Sequence, residues 1–298
     1  MLEPRQPPGP TFVPDERIET CDLCGAAGFQ MVDAVSNVVQ CGSCGFRFVN
    51  PRPSQAQITA AYSDPHFYDH WVDADDGRRH MWWKRLNLLR RAGAGTRVLD
   101  IGAGIGTFLA LARDEAGWSV TGTEVSRSAV ALARERHEIV LLEGQADDVE
   151  LPRSHFDVVT LWHVLEHVPS PSSLLRLCHE VLVPGGLLVV AVPNDADGRV
   201  VLKRVRDRVA ALVGGATTTE ERYYPLRPGG EIHLSHFTPS TLEEMLRRQG
   251  FRVQRVTVDD HYPQPSRKTD VLIRTYRLIF RLTGHNLGQA ILVLSLKP

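Results

Sequence analysis

Several things are missing from this 298-residue chain, and each absence narrows its class. No apolar run approaches the roughly 18–20 residues that cross a bilayer, so no spanning helix is predicted. The first sixteen residues have no apolar core of the signal-peptide kind. They are proline-rich and are expected to be a flexible N-terminus, residues 1–16. A reducing, cytoplasmic location is therefore expected. Neither sign of charge is in excess: 34 Lys and Arg face 35 Asp and Glu, which argues against a chain wrapped in nucleic acid. There is no internal repeat and no low-complexity tract. Cysteine is scarce, with five in all, and four of them are concentrated in two pairs.

Those pairs are Cys21 with Cys24 and Cys41 with Cys44, each followed directly by glycine, Gly25 and Gly45. In a reducing compartment, C-x-x-C-G written twice reads as two metal knuckles rather than two disulfides. The 16 residues from Gly25 to Gln40 suffice for a short hairpin between them. Four thiolates at tetrahedral geometry suit Zn²⁺ and fill its coordination sphere, so the zinc is expected to be structural. Residues 17–50 are thus predicted to be a zinc ribbon. Cys178 stands alone in a helical pattern and reads as a buried, inert thiol.

Residues 51–95 look helical and carry Tyr62, Phe67, Tyr68, Trp71, Trp82 and Trp83, either as a collar packed on the core or as a cap over a ligand. From Thr96 to the end, short apolar strands alternate with helical patterns. Strands are expected at Arg97–Ile101, Ser119–Glu124, Ile139–Glu143, Phe156–Trp162, Leu187–Val192, Phe251–Val258 and Ala290–Leu296. Helices are expected at Gly106–Glu115, Arg127–His137, Ser172–Leu182 and Pro239–Gln249. This rhythm predicts an α/β domain over 96–298, with a largely parallel sheet covered on both faces. Polar and basic insertions interrupt it at 193–237 and 259–285.

Ligands of open α/β sheets bind beyond the carboxyl ends of the strands, and four features fall there. The first is Asp100 followed by Gly102, Gly104 and Gly106, a tight turn that leads into a helix and leaves backbone bare for a ligand. Its register departs from the dinucleotide fingerprint G-x-G-x-x-G, because position 107 is Thr. The second is Glu124, 18 residues after Gly106, able to accept two hydrogen bonds from a ribose diol and followed by Val125. The third is Asp147, with Asp148 as its alternative, placed to bond an adenine amino group. The fourth is the strand end Trp162–His163, which opens His163-Val-Leu-Glu-His167. That last stretch fits the inverted zinc-protease motif. It abuts a strand end and runs into Val168-Pro169, however, which excludes the helix such a motif needs.

Taken together, the segments VLDIGAGIGTFL, TGTEVS, EGQADDVELP, FDVVTLWHVLEHV and LVPGGLLVVAVPN resemble the class I S-adenosylmethionine-dependent methyltransferases. The N-terminal CDLCG and CGSCGFRFVNPRP resemble the zinc-ribbon extension found in part of that family. The resemblance implies a Rossmann-like sheet of seven strands ordered 3-2-1-4-5-7-6, with strand 7 antiparallel. It implies S-adenosyl-L-methionine as cofactor, with its demethylated form as product, held by Asp100, Gly102, Gly104, Gly106, Glu124, Val125, Asp147, Trp162 and His163. It also implies in-line methyl transfer to a small-molecule acceptor, a sugar or natural-product intermediate being favoured. RNA methylation and a non-catalytic cofactor-binding module are the alternatives.

Candidate bases for such a transfer are His163, Glu166, His167, His233 and His236. The His163 ring can equally serve only to pack. Glu166 and His167 are expected to stabilise the turn into the next helix. Arg199, Lys203, Arg204, Arg206 and Arg208 make the first insertion basic. Residues 271–283 space Arg274, Arg277 and Arg281 among apolar neighbours. Such a helix suits a solvated face with its apolar side on the core, a phosphate-bearing acceptor, or peripheral contact with an anionic membrane.

Overall fold

The computed structural model describes residues 12–62, 75–198, 223, 226, 231–262 and 266–298. The expected aromatic residues Phe67, Tyr68 and Trp71 and the basic residues Arg199, Lys203, Arg204, Arg206 and Arg208 lie outside them.

The ribbon contributes strands β1 (Phe29–Asp33), β2 (Val38–Cys41) and β3 (Arg47–Val49), paired antiparallel in that order. Helices α1 (Gln55–Tyr62) and α2 (Asp75–Arg91) follow in the predicted collar. The alternating pattern then unfolds as β4 (Arg97–Ile101), α3 (Thr107–Ala116), β5 (Ser119–Glu124), α4 (Arg127–His137), β6 (Leu142–Glu143), β7 (Phe156–Trp162), α5 (Pro171–Val181) and β8 (Leu182–Pro193). After the first insertion come β9 (Ser235–His236), α6 (Pro239–Arg248), β10 (Arg252–Val258), α7 (Arg267–Thr283) and β11 (Ala290–Leu296).

The large sheet runs β10-β11-β8-β7-β4-β5-β6, with β11 antiparallel to both neighbours and the other pairings parallel. Numbered within the domain, this is the expected order 3-2-1-4-5-7-6 read from the other edge. The central strands are apolar along their whole length because helices cover both faces: Val158, Val159, Leu161, Val189 and Val190 are fully buried. Local signals set the helix starts. Ser126 caps α4 by accepting from Ala129 N–H, and Thr238 with Thr241 forms a reciprocal capping box ahead of Pro239 on α6. The third strand is shorter than expected. Ile139 and Leu141 are buried ahead of it, but only Leu142 and Glu143 pair with β5. Among the described residues, no helix is long and apolar enough to cross a membrane.

The ribbon is not a separate module. Its fourth strand is β9, which comes from the far end of the first insertion and pairs with β3 through Arg47↔His236 and Phe48↔Ser235. Phe46 packs on Phe237, with ring centroids 5.4 Å apart. Asp22 accepts from the Ser172 N–H and from the hydroxyls of Ser170 and Ser172, and so caps the N-terminus of α5. Arg47 forms a 2.6 Å ion pair with Asp195. The last part of the expected flexible N-terminus is also tied down. Glu16 exchanges two backbone hydrogen bonds with Arg52, and its carboxylate receives the Arg52 guanidinium.

Helix α7 departs from the simplest expectation for a basic amphipathic helix. Ile273 is buried and the Arg277 guanidinium donates to the Val258 carbonyl. Val271, Leu272, Leu278 and Leu282 face outward instead of onto the core.

Candidate functional site

A cavity of about 700 Å³ opens at the carboxyl ends of β4, β5 and β7. The glycine turn forms its floor. Gly102, Gly104 and Gly106 all have positive φ (69°, 56° and 78°), the left-handed region where a side chain is strained. At Gly102 a Cβ would also stand 2.6 Å from Val164 Cγ2. The turn is fastened to β5, because Gly102 and Ala103 N–H donate to the Thr123 carbonyl and Gly104 N–H donates to Glu124 Oε2 at 2.8 Å. The other Glu124 oxygen accepts from Ser126 N–H at 2.9 Å. These bonds hold the carboxylate rigidly at the cavity wall. Helix α3 starts at the end of the turn without a side-chain cap.

Asp100 is buried at the end of β4, and its Oδ1 accepts from the Thr160 hydroxyl at 2.6 Å. Burial pushes its carboxyl up to about 7, and the Glu124 charge adds to this. The Thr160 bond and the Arg85 charge act the other way. Val125, Gly144, Gln145, Ala146 and Asp147 form the next wall. Asp147, rather than Asp148, is the residue that lines the cavity.

Trp162 and His163 end β7 on the opposite side. His163 follows the strand in the left-handed region, with φ 57°, a conformation that is costly for a residue with a side chain. Both its ring nitrogens face carboxylates: Nδ1 lies 3.5 Å from Glu166 Oε1 and Nε2 lies 3.7 Å from Asp259 Oδ2. Burial opposes the charged ring, yet the two carboxylates prevail and raise it to about 9. This environment suits a cationic ring more than a proton acceptor. Asp259 also receives Arg85 in a buried 2.6 Å ion pair. The Arg85 guanidinium lies 4.4 Å from the Trp162 ring centre and 4.8 Å from that of Trp82.

The far end of the cavity is polar. Glu166 is 1% exposed, and neither of its carboxylate oxygens has a hydrogen-bond partner among the described residues. Its backbone carbonyl accepts from Leu234 and Ser235 N–H, which draws residues 231–235 against this turn. His167 Nδ1 lies 2.8 Å from the Ile232 carbonyl. A carbonyl can only accept, so Nδ1 carries the hydrogen and Nε2 the lone pair. The Tyr62 oxygen also lies 2.8 Å from Nδ1. Glu231 lines the cavity and is held down at about 2, chiefly by its contact with His233. His233 stands just behind, its ring 4.9 Å from that of His167. His236 is placed elsewhere. It lies in β9 against Tyr223, with ring centres 4.6 Å apart, and does not line the cavity.

Arg85, Glu231 and His261 line the cavity although the sequence did not mark them as site residues, and the collar aromatics Tyr62 and Trp82 line it too. Residues of both collar helices thus line the cavity beside those of the strand ends.

The four ribbon thiols also converge. One sulfur from each of Cys21, Cys24, Cys41 and Cys44 lies within 4.8 Å of every other. The contacts Cys21–Cys44 and Cys24–Cys41 are each 3.6 Å, far too long for disulfides. Metal–sulfur bonds of about 2.3 Å give a tetrahedron with edges of about 3.8 Å, close to this spacing. Although burial opposes the thiolate, N–H donors of Cys44 and Ser43 bring Cys41 down to about 7. The donor set fits Zn²⁺.

A family model described as a methyltransferase domain matches residues 74–256. The chain belongs to this methyltransferase family. A ubiquinone biosynthesis O-methyltransferase of Pseudomonas aeruginosa is 38% identical to it over 202 residues, covering 59% of this chain and 79% of the relative. The protein of the same description from Thiobacillus denitrificans is 31% identical over 226 residues, covering 67% of this chain and 86% of the relative. Among solved structures, the magnesium protoporphyrin IX methyltransferase of Synechocystis PCC 6803 shares the fold with a TM-score of 0.54 at 14% identity, over 82% of this chain and 100% of that one. A methyltransferase from Thermotoga maritima does so with a TM-score of 0.52 at 16% identity, over 78% and 98%. The methyltransferase described here is a class I enzyme that uses S-adenosylmethionine.

Proposed function

We propose that this methyltransferase transfers the methyl group to a hydroxyl of a small molecule bound at the polar end of the cavity. The observation that carries this reading is the set of acceptor-only atoms there. Glu166 presents two unpartnered carboxylate oxygens, and the His167 Nε2 lone pair lies 3.7 Å from one of them. A hydroxyl, which donates a hydrogen, matches them, whereas a carboxylate or phosphate would be repelled. The relatives' description as O-methyltransferases supports the same class of acceptor.

S-adenosylmethionine supplies a methyl group made electrophilic by its sulfonium. The residues do the positioning. Asp100 and the N-terminus of α3, which has no side-chain cap, suit the amino-acid portion. Glu124, fastened at the cavity wall, suits the ribose diol, and Asp147 the adenine amino group. Trp162 and His163 then face the methyl end. The hydroxyl oxygen forms the new bond to carbon as the carbon–sulfur bond breaks, the electron pair stays on sulfur, and the hydroxyl proton passes to the His167 Nε2 lone pair. Alignment supplies most of the rate.

The test is transfer from methyl-labelled cofactor to a panel of catechols, phenols and sugars, with the products located by mass spectrometry. O-methylated product is expected. Product methylated only on nitrogen or carbon would overturn the reading.

A further inference from the structure

We propose that Glu166, His167 and His233 form a binding site for a divalent first-row transition ion, separate from the zinc ribbon and open to the cofactor cavity. One ligand atom from each of the three lies within 4.8 Å of the others. Two imidazoles and one carboxylate are a donor set that such ions accept while keeping positions free for a further ligand.

Two further observations point to an ion. The Glu166 carboxylate is buried, lines the cavity and has no hydrogen-bond partner among the described residues. The His163 ring offsets part of its charge from 3.5 Å, but neither oxygen receives a hydrogen bond, and a single hydroxyl hydrogen would satisfy only one of its lone pairs. A cation satisfies both oxygens and the neighbouring imidazoles together. The second observation is the orientation of His167. Its Nδ1–H is given to the Ile232 carbonyl at 2.8 Å, which fixes the tautomer and leaves Nε2 as the ligand atom beside Glu166. Metal-bound histidines are held in this way by a backbone carbonyl behind the ring. The elements agree, since the Leu234 and Ser235 N–H bonds to the Glu166 carbonyl bring His233 to the cluster.

Placed there, the ion deepens the proposed O-methylation. An acceptor hydroxyl entering its free position would be acidified and held at the methyl end of the cavity. This role rests on the O-methylation reading, whereas the ion site itself does not.

The experiment uses the full chain with its ribbon zinc in place. Mn²⁺ is titrated and the free aquo ion followed by electron paramagnetic resonance, with Co²⁺ followed by visible absorption as a second probe. One ion per chain is expected in addition to the ribbon zinc. Losing an outer partner of a metal ligand costs about 10- to 100-fold in affinity, so Glu166→Gln and His233→Ala should each weaken binding at least that much. His233 is partly exposed, so His233→Ala keeps the test open should Glu166→Gln fold poorly. Calorimetric titration with S-adenosylhomocysteine is run on the same samples and should be unchanged in both variants. If the wild-type chain binds neither ion beyond what the variants bind, the site is overturned. That result together with intact S-adenosylhomocysteine binding would leave the methyltransferase reading standing.

Discussion

Gly102→Ala tests the floor of the cavity. Two separate costs meet at this position. An alanine in the left-handed region loses about 1–2 kcal/mol, and Gly102 has φ 69°. Its Cβ would stand 2.6 Å from Val164 Cγ2, and forced overpacking of this kind costs about 1–3 kcal/mol. The sum is about 2–5 kcal/mol, a large share of the ~5–15 kcal/mol that keeps a domain folded. Whatever the chain relieves by bending the turn should reappear as weaker binding of S-adenosylhomocysteine, because the Gly102 and Ala103 N–H bonds to Thr123 would be disturbed. The second half of the test is Val164→Ala. It removes the atoms that clash and costs about 1 kcal/mol by itself. In the double variant the steric part should return, and the backbone part should not. Urea denaturation of the four proteins gives a coupling of about 1–3 kcal/mol if this is right. Wild-type stability and affinity in Gly102→Ala, or strict additivity in the cycle, would refute it.

Glu124→Gln keeps the size of the side chain but takes the charged acceptor from Gly104 and Ser126 N–H. Calorimetry should show S-adenosylhomocysteine binding weaker by about 1.5–3 kcal/mol, while an unchanged affinity would remove Glu124 from the ribose site. Arg85→Met takes the close guanidinium from buried Asp259 and leaves it only the His163 ring, 3.7 Å away. Denaturation should report a loss of about 3–5 kcal/mol, much of it recovered when Asp259→Asn is added. Elemental analysis of purified protein should find one tightly held zinc per chain that Cys41→Ser releases. Zinc retained in that variant would dissociate the ribbon thiols from the metal.

Much of the fold was legible because each local signal agreed with the global one. The strand rhythm from Arg97 to Leu296, the capping residues Ser126 and Thr238, and the three left-handed glycines all point to the same sheet. The cavity wall at the strand ends was legible for the same reason, since the positions of its residues follow from the strands themselves. The acceptor end was not. Arg85 is one of several basic residues in its helix, and its burial depends on Trp162 and on Asp259, which is distant in sequence. Glu231 and His233 reach the cavity only because an insertion folds back onto the Glu166 carbonyl. No periodicity announces contacts of that range. His236 shows the opposite error: two residues along from Leu234, its strand pairs with the ribbon and carries it away.

The pairing of β3 with β9 also has a consequence for the order in which the chain is made. Both zinc knuckles and β3 leave the ribosome early, but Ser235 and His236 follow only after most of the catalytic sheet has been synthesised. At about 5–20 residues per second that interval lasts roughly 10–40 s, during which β3 presents an unpaired edge. A nascent ribbon is therefore incomplete until the enzyme around it is nearly finished. A gene cut at the Asn50–Pro51 junction would divide one sheet between two products.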